Sequence, residues 1–152
     1  MPKPLTVITG ASSGIGEATA KAFSNAGYPT LLIARRLEIM ESFNLKNSIC
    51  KRVDVRDRDA LVAAVKEAEE TYGPTDMIFN NAGVARLADI STQDPKEWDE
   101  MIDVNTKGVM NGMYAVMASM KARQSGTIIN MSSIAGRKVY GDHTVYCGTK
   151  YF

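Results

Sequence analysis

Short apolar runs and amphipathic helical patterns alternate along the whole chain. The apolar runs are only three to six residues long and rich in β-branched side chains, as is typical of strands. One of them, over residues 30–34, is almost wholly apolar, which indicates a strand buried on both faces. This alternation predicts an α/β fold, with a parallel sheet that carries helices on both faces.

We predict strands over residues 5–9, 30–34, 48–53, 77–79 and 127–131, and a short helix over 36–43. Asp57 can cap a further helix that ends at Gly73. Two other helices follow from apolar stripes at helical spacing. The first stripe contains Ile15, Ala18, Ala22, Phe23 and Ala26; the second follows Pro95 and contains Trp98, Met101, Ile102, Val109, Met113, Val116 and Met120.

Composition excludes several classes of protein. A length of 152 residues suits one domain, and a formal net charge of +1 gives no support for nucleic acid or an anionic membrane as the main partner. Cys50 and Cys147 have neither disulfide nor metal-binding spacing. We therefore expect reduced thiols, no metal site and a cytoplasmic location.

A glycine-rich segment joins the first predicted strand to the first helix. Its residues are Thr9, Gly10, Ala11, Ser12, Ser13, Gly14, Ile15 and Gly16. Glycines allow a tight turn and a close approach to a pyrophosphate, and the helix N-terminus offers free N–H groups. A purely structural turn is the alternative, but the position after the first strand of an α/β pattern favours phosphate binding.

Arg35 and Arg36 follow the second predicted strand, where NAD-binding folds place an acid on the ribose 2′-hydroxyl. A carboxylate there would repel a 2′-phosphate, whereas guanidinium groups bind one. The sequence therefore favours NADP(H) over NAD(H). The alternative interpretation is a pair of solvated surface arginines.

Tyr146 and Lys150 are four positions apart, so on a helix they share a face. A tyrosine ordinarily ionises near pH 10, and an ammonium nearby favours the phenolate. Ser133 follows the fifth predicted strand, and Asn105 interrupts an apolar helical stripe. Taken singly, Ser133 could be a loop serine that only turns the chain, and Asn105 could be a buried asparagine with satisfied hydrogen bonds.

Taken together, these motifs resemble the short-chain dehydrogenases/reductases. They are the T-G-x-x-x-G-x-G segment at residues 9–16, the Asn-Asn-Ala-Gly tetrapeptide at 80–83, Asn105, Ser133 and the Tyr146–Lys150 pair. The resemblance implies a Rossmann-like, doubly wound sheet and an enzyme that interconverts a carbonyl and an alcohol on a small substrate with NADP(H). It also implies a homodimer or homotetramer in the full-length form.

The resemblance assigns roles to residues of this chain. Tyr146 would be the general acid/base, Lys150 would assist it and bind the nicotinamide ribose, Ser133 would orient the carbonyl, and Asn105 would kink its helix and hold a water. The remaining predicted cofactor contacts are Asp54 and Val55 at the adenine and Asn81, Ala82 and Gly83 at the adenosine ribose.

Members of this family continue well beyond the position of Phe152, the last residue. We therefore expect residues 1–152 to form a single NADP-binding domain that lacks the family's C-terminal strands. Two functions remain open for a chain of this length. It is either part of an NADP(H)-dependent enzyme or a catalytically silent nucleotide-binding module.

Overall fold

The computed structural model describes residues 3–152, and five parallel strands form the centre of this part of the chain. The strands are β1 Leu5–Thr9, β2 Thr30–Ala34, β3 Ser48–Arg52, β4 Thr75–Asn80 and β5 Thr127–Asn130. Within the sheet they lie in the order β3-β2-β1-β4-β5. The predicted α/β fold with a doubly wound parallel sheet is confirmed, with strand ends that differ by one or two residues.

Six α-helices connect or flank the strands in the described residues. They are α1 Gly14–Asn25, α2 Leu37–Ser42, α3 Arg58–Tyr72, α4 Pro95–Ile102, α5 Gly108–Arg123 and α6 Thr144–Tyr151. The predicted cap of α3 is confirmed, because the Asp57 carboxylate accepts a bond of 3.0 Å from the Ala60 N–H. No helix within residues 3–152 combines the length and the apolar character that crossing a membrane requires.

Apolar side chains are buried on both faces of the sheet. On one face, Val7 and Ile33 pack with residues of α3 and α5 such as Leu61 and Val116. On the other face, the neighbouring strand positions pack with α1 and α2, where Met40 is buried. Alternate residues of one strand thus contribute to two separate cores, which explains why the central strands β1 and β2 carry apolar side chains at consecutive positions.

The predicted helix after the glycine-rich segment is confirmed as α1, but the apolar stripe that predicted it is not the buried side. Ile15 is 60% exposed, and the alanines of that stripe are exposed as well. The buried residues of α1 are Gly16 and Ala20, and Phe23 is half-buried on the same side. The glycine-rich turn sets this rotation, because a Cβ atom on Gly16 would lie only 2.3 Å from the Gly10 carbonyl oxygen. Backbone proximity, rather than apolar content, decides which side of α1 faces the sheet.

The predicted long helix after Pro95 is interrupted. A π turn over Asp103–Lys107 separates α4 from α5, with Asn105 in its centre. An extra residue in a turn rotates all following side chains relative to the preceding helix. Ile102, the last residue before the π turn, is 41% exposed although it belongs to the predicted stripe, whereas Met101 and Val116 on either side of the π turn are buried.

The carboxyl ends of the parallel strands all lie at one edge of the sheet. The chain leaves β1 towards β2 on one side, while β4 pairs with β1 on the other. Neighbouring connections therefore diverge between β1 and β4, and doubly wound proteins bind ligands in the crevice at such a point. The glycine-rich turn and the segment that follows Asn80 flank this crevice.

Strand β5 generates a prediction about residues 1–152 as an isolated polypeptide. It occupies the edge of the described sheet, and Ile129 is 43% exposed there. An exposed apolar edge strand pairs readily with other chains. We expect the purified polypeptide to self-associate in size-exclusion chromatography with light scattering, and Ile129→Lys to reduce the association. Ile90→Lys, at a loop residue 44% exposed, is the matched control and should change little. A monomer at high concentration would contradict the prediction.

Candidate active site

A crevice of about 620 Å³ lies at the carboxyl edge of the sheet. Most of the predicted site residues line it. They are Gly10, Ser12, Ser13, Ile15, Arg35, Arg36, Asp54, Val55, Asn81, Ala82, Gly83, Ser133, Tyr146 and Lys150. Three predicted residues are not among those that line the crevice: Gly14, Gly16 and Asn105. The structure thus brings residues from the ends of all five strands and from α6 into one cavity.

The glycine-rich turn forms one wall of the crevice. Gly10 has a φ of +65°, and a Cβ atom there would lie 2.8 Å from the Ala82 Cα. Among the described backbone contacts, the Glu17 N–H is the first of α1 to bond back within the helix, to the Ser13 carbonyl. The preceding N–H groups of the first turn are available to an anion at the positive end of the helix dipole.

Arg36 is held beside this turn by the serines. Its guanidinium donates to Ser12 Oγ at 3.0 and 3.2 Å and to Ser13 Oγ at 2.8 Å. Arg35 is exposed at the same end of the crevice. This end therefore combines two guanidinium groups, two hydroxyls and a helix N-terminus, all of which suit phosphate oxygens.

Asp54 and Val55 lie after β3, on the crevice wall next to the arginines. The Arg56 guanidinium donates to both oxygens of Asp54, at 2.9 and 2.6 Å. These hydrogen bonds lower the pKa of Asp54 below its ordinary value, against the effect of partial burial. The carboxylate next to the arginine end of the crevice is therefore already paired within its own loop.

The segment after β4 is tied to the end of β1. Thr9 Oγ1 accepts bonds from the Asn81 and Ala82 N–H groups, at 3.0 and 3.1 Å. The Asn81 amide in turn donates to the carbonyls of Thr9 and Gly10, at 3.1 and 3.3 Å. These bonds hold the two walls of the crevice at a fixed separation.

Tyr146 and Lys150 project from α6 at the other end of the crevice. The Lys150 ammonium lies 5.9 Å from the centre of the Tyr146 ring and donates to the Met131 carbonyl at 3.1 Å. Burial lowers the pKa of Lys150 from its ordinary value of 10.5. A Cβ atom on Gly83 would lie 3.4 Å from Lys150 Nζ, so the absence of a side chain at this position leaves room for the ammonium.

Two serines follow β5 and have different partners. Ser132 Oγ donates to the Lys150 carbonyl at 3.2 Å. Ser133 Oγ accepts from the Ala135 N–H at 3.2 Å, at the start of the 3₁₀ turn Ile134–Gly136. The acceptor role leaves the Ser133 hydroxyl hydrogen able to point at a ligand oxygen. Ser132 Oγ, by contrast, already uses its hydrogen in the bond to the Lys150 carbonyl.

Asn105 lies behind the crevice and is buried. Its amide exchanges two bonds of 2.8 Å with the Val84 backbone and donates to Thr149 Oγ1 at 3.1 Å. A second asparagine, Asn111, donates to the Val55 carbonyl at 2.9 Å.

The sequence predictions did not include Asn111 or Thr149. The available signal for Asn111 was a polar residue within a largely apolar helix, and for Thr149 its position directly before Lys150.

Comparisons with known proteins agree with this geometry. Residues 4–152 match the family model described as short chain dehydrogenase. An uncharacterized oxidoreductase of Staphylococcus saprophyticus is 42% identical over 151 residues, which cover 97% of this chain and 61% of the relative. This chain is thus clearly shorter than that relative.

Solved structures of two dehydrogenases have the same fold as this chain. A serine dehydrogenase in a closed form complexed with NADP+ is 31% identical with a TM-score of 0.93, and the match covers 97% of this chain and 61% of that one. An alcohol dehydrogenase from the archaeon Thermococcus sibiricus, complexed with 5-hydroxy-NADP, is 29% identical with a TM-score of 0.91, over 98% and 66% of the two chains. The sequence resemblance is thus confirmed: the chain belongs to the short-chain dehydrogenase/reductase family.

Proposed function

We propose that the protein is an NADP(H)-dependent oxidoreductase that interconverts a carbonyl and an alcohol on a small organic substrate. One observation carries the proposal. A single crevice joins a phosphate-binding end, with Arg35, Arg36 and the glycine-rich turn, to an end with Ser133, Tyr146 and Lys150. The NADP+ and 5-hydroxy-NADP complexes of the two solved relatives support this choice of cofactor.

The donor set of the crevice fits NADP(H). Arg36, bonded to Ser12 and Ser13, would hold the 2′-phosphate together with Arg35. The N–H groups at the start of α1 would bind the pyrophosphate. Asp54 and Val55 would contact the adenine, and residues 81–83 the adenosine ribose. NADPH, when bound, supplies the hydride for the substrate carbon.

The side chains at the other end would move the proton. Tyr146 would donate its phenolic proton to the substrate oxygen in the reductive direction and recover it from solvent. Ser133 would donate a hydrogen bond to the same oxygen and so orient the carbonyl. The Lys150 ammonium would favour the phenolate of Tyr146 and bind the nicotinamide ribose. Asn105 would support the proton path with a bound water.

Cofactor preference tests the arginine end. We expect the natural protein to bind NADPH at least about tenfold more tightly than NADH, or about 1.4 kcal/mol. Arg36→Ala should weaken NADPH binding and leave NADH binding nearly unchanged, because only NADPH carries the 2′-phosphate. Isothermal titration calorimetry measures both constants, and NADH is the internal control. Equal affinity of the wild type for the two cofactors would refute the assignment.

Proton transfer tests the tyrosine. Tyr146→Phe should lower kcat/KM for carbonyl reduction by about 10²- to 10⁴-fold, because a general acid contributes that much. The NADPH dissociation constant should change by no more than about threefold, since the phenolic proton is not a main anchor of the cofactor. Tyr140→Phe is the matched control, because the described crevice lining does not include Tyr140. Retention of more than half of the activity by Tyr146→Phe would exclude the proposed role.

The lowered pKa of Lys150 predicts a pH dependence. Desolvation disfavours the charged ammonium, so Lys150 loses its proton at a pH below 10.5, the ordinary pKa of a lysine. We expect affinity for NADP+ to decrease with rising pH in the alkaline range below 10.5, as the ribose contact loses its charge. Lys150→Arg, which stays protonated, should abolish this decrease. Affinity that stays constant up to pH 10.5 in the wild type would contradict the prediction.

A further inference from the structure

We propose that Thr149 is a positioning residue, whose buried hydroxyl links the Asn105 amide to the backbone of Tyr146. The inference rests on the proposed function, because it concerns the group that would transfer the proton. Thr149 is 6% exposed and does not appear among the residues that line the main crevice. It would therefore act on the reaction only through its neighbours.

The Thr149 hydroxyl is used as both acceptor and donor. Oγ1 accepts from Asn105 Nδ2 at 3.1 Å and lies 2.8 Å from the Tyr146 carbonyl oxygen, to which it donates. Threonines in helices often donate to a carbonyl of the preceding turn without further consequence. Here the oxygen also accepts a bond from the separate π turn, so the hydroxyl connects two elements of the fold.

Asn105 extends this connection to the wall of the crevice. Its Oδ1 accepts from the Val84 N–H and its Nδ2 donates to the Val84 carbonyl, both at 2.8 Å. Asn105 is 2% exposed, and hydrogen bonds in such a buried setting are electrostatically stronger than bonds at the surface. A chain of hydrogen bonds thus runs from the segment that follows Gly83, through Asn105 and Thr149, to Tyr146.

This chain fixes the tyrosine relative to the cofactor wall. Residues 81–83 are the proposed contacts of the adenosine ribose, and a Cβ atom on Gly83 would lie 3.3 Å from Asn105 Oδ1 and 3.4 Å from Lys150 Nζ. A displacement of about 1 Å between reacting groups costs about 10²-fold in rate. Loss of the Thr149 hydroxyl should consequently reduce the rate of reaction and not the affinity for the cofactor.

A pair of variants at this position separates the hydroxyl from the shape of the side chain. Thr149→Val keeps the volume and removes the hydroxyl, and Thr149→Ser keeps the hydroxyl. In the natural protein, we expect Thr149→Val to lower kcat for carbonyl reduction by about 10- to 100-fold. Its NADPH dissociation constant should stay within about twofold of the wild-type value. Thr149→Ser should retain at least about half of kcat.

Thr75→Val is the matched control. Thr75 is a fully buried threonine in β4, and its hydroxyl has no hydrogen-bond partner among the described residues. Its loss should leave kcat unchanged. If Thr149→Val does not fold, as judged by thermal unfolding and NADPH binding, the comparison of Thr149→Ala with Thr149→Ser measures the same hydroxyl.

Two results would overturn the inference. Wild-type kcat in Thr149→Val would show that the hydroxyl does not position Tyr146. Equal losses of kcat in Thr149→Val and Thr149→Ser would assign the effect to packing. Failure of the proposed function has a different signature, because the wild type itself would then reduce no carbonyl with NADPH, and the inference would fall with it.

Discussion

The close approach of two backbone segments, after β1 and after β4, is the constraint on which the rest of the structure depends. Positions 10 and 16 accept no side chain, because a Cβ atom would lie within 3 Å of backbone atoms of Ala82 or of Gly10 itself. The Thr9 hydroxyl and the Asn81 amide then bond the two segments together. This contact sets the rotation of α1, the width of the crevice and the position of Gly83, which lies next to the Lys150 ammonium.

Buried asparagine amides also join separate segments by hydrogen bonds elsewhere around the crevice. Asn105 joins the segment after β4 to α6, and Asn111 joins α5 to the loop after β3. A primary amide has two donors and an acceptor in one plane, so one side chain can satisfy several backbone groups of a loop. In a doubly wound fold the loops carry the ligand contacts, and such amides connect them to the rigid helices.

Charge is separated along the crevice. The arginine end holds two guanidinium groups, while the nearby Asp54 carboxylate is neutralised by Arg56. At the opposite end, one partly buried ammonium, Lys150, lies beside Tyr146. An anionic cofactor would thus be bound by its phosphates at a distance from the group that transfers the proton, so that affinity and proton transfer can be altered by different substitutions.

The sequence by itself determined the α/β class, the strand positions to within one or two residues, and most of the crevice lining. These features follow from the spacing of apolar residues and from short motifs, which are local properties of the chain. The tertiary structure alone decided three features. Which side of α1 is buried depends on backbone contact between Gly10 and Gly16, since the apolar stripe predicted the wrong side. The π turn after α4 changes the phase of the helix, which periodicity cannot anticipate. The contact of Asn105 with Thr149 joins residues far apart in the chain, and only the packing of α6 against the π turn brings them together.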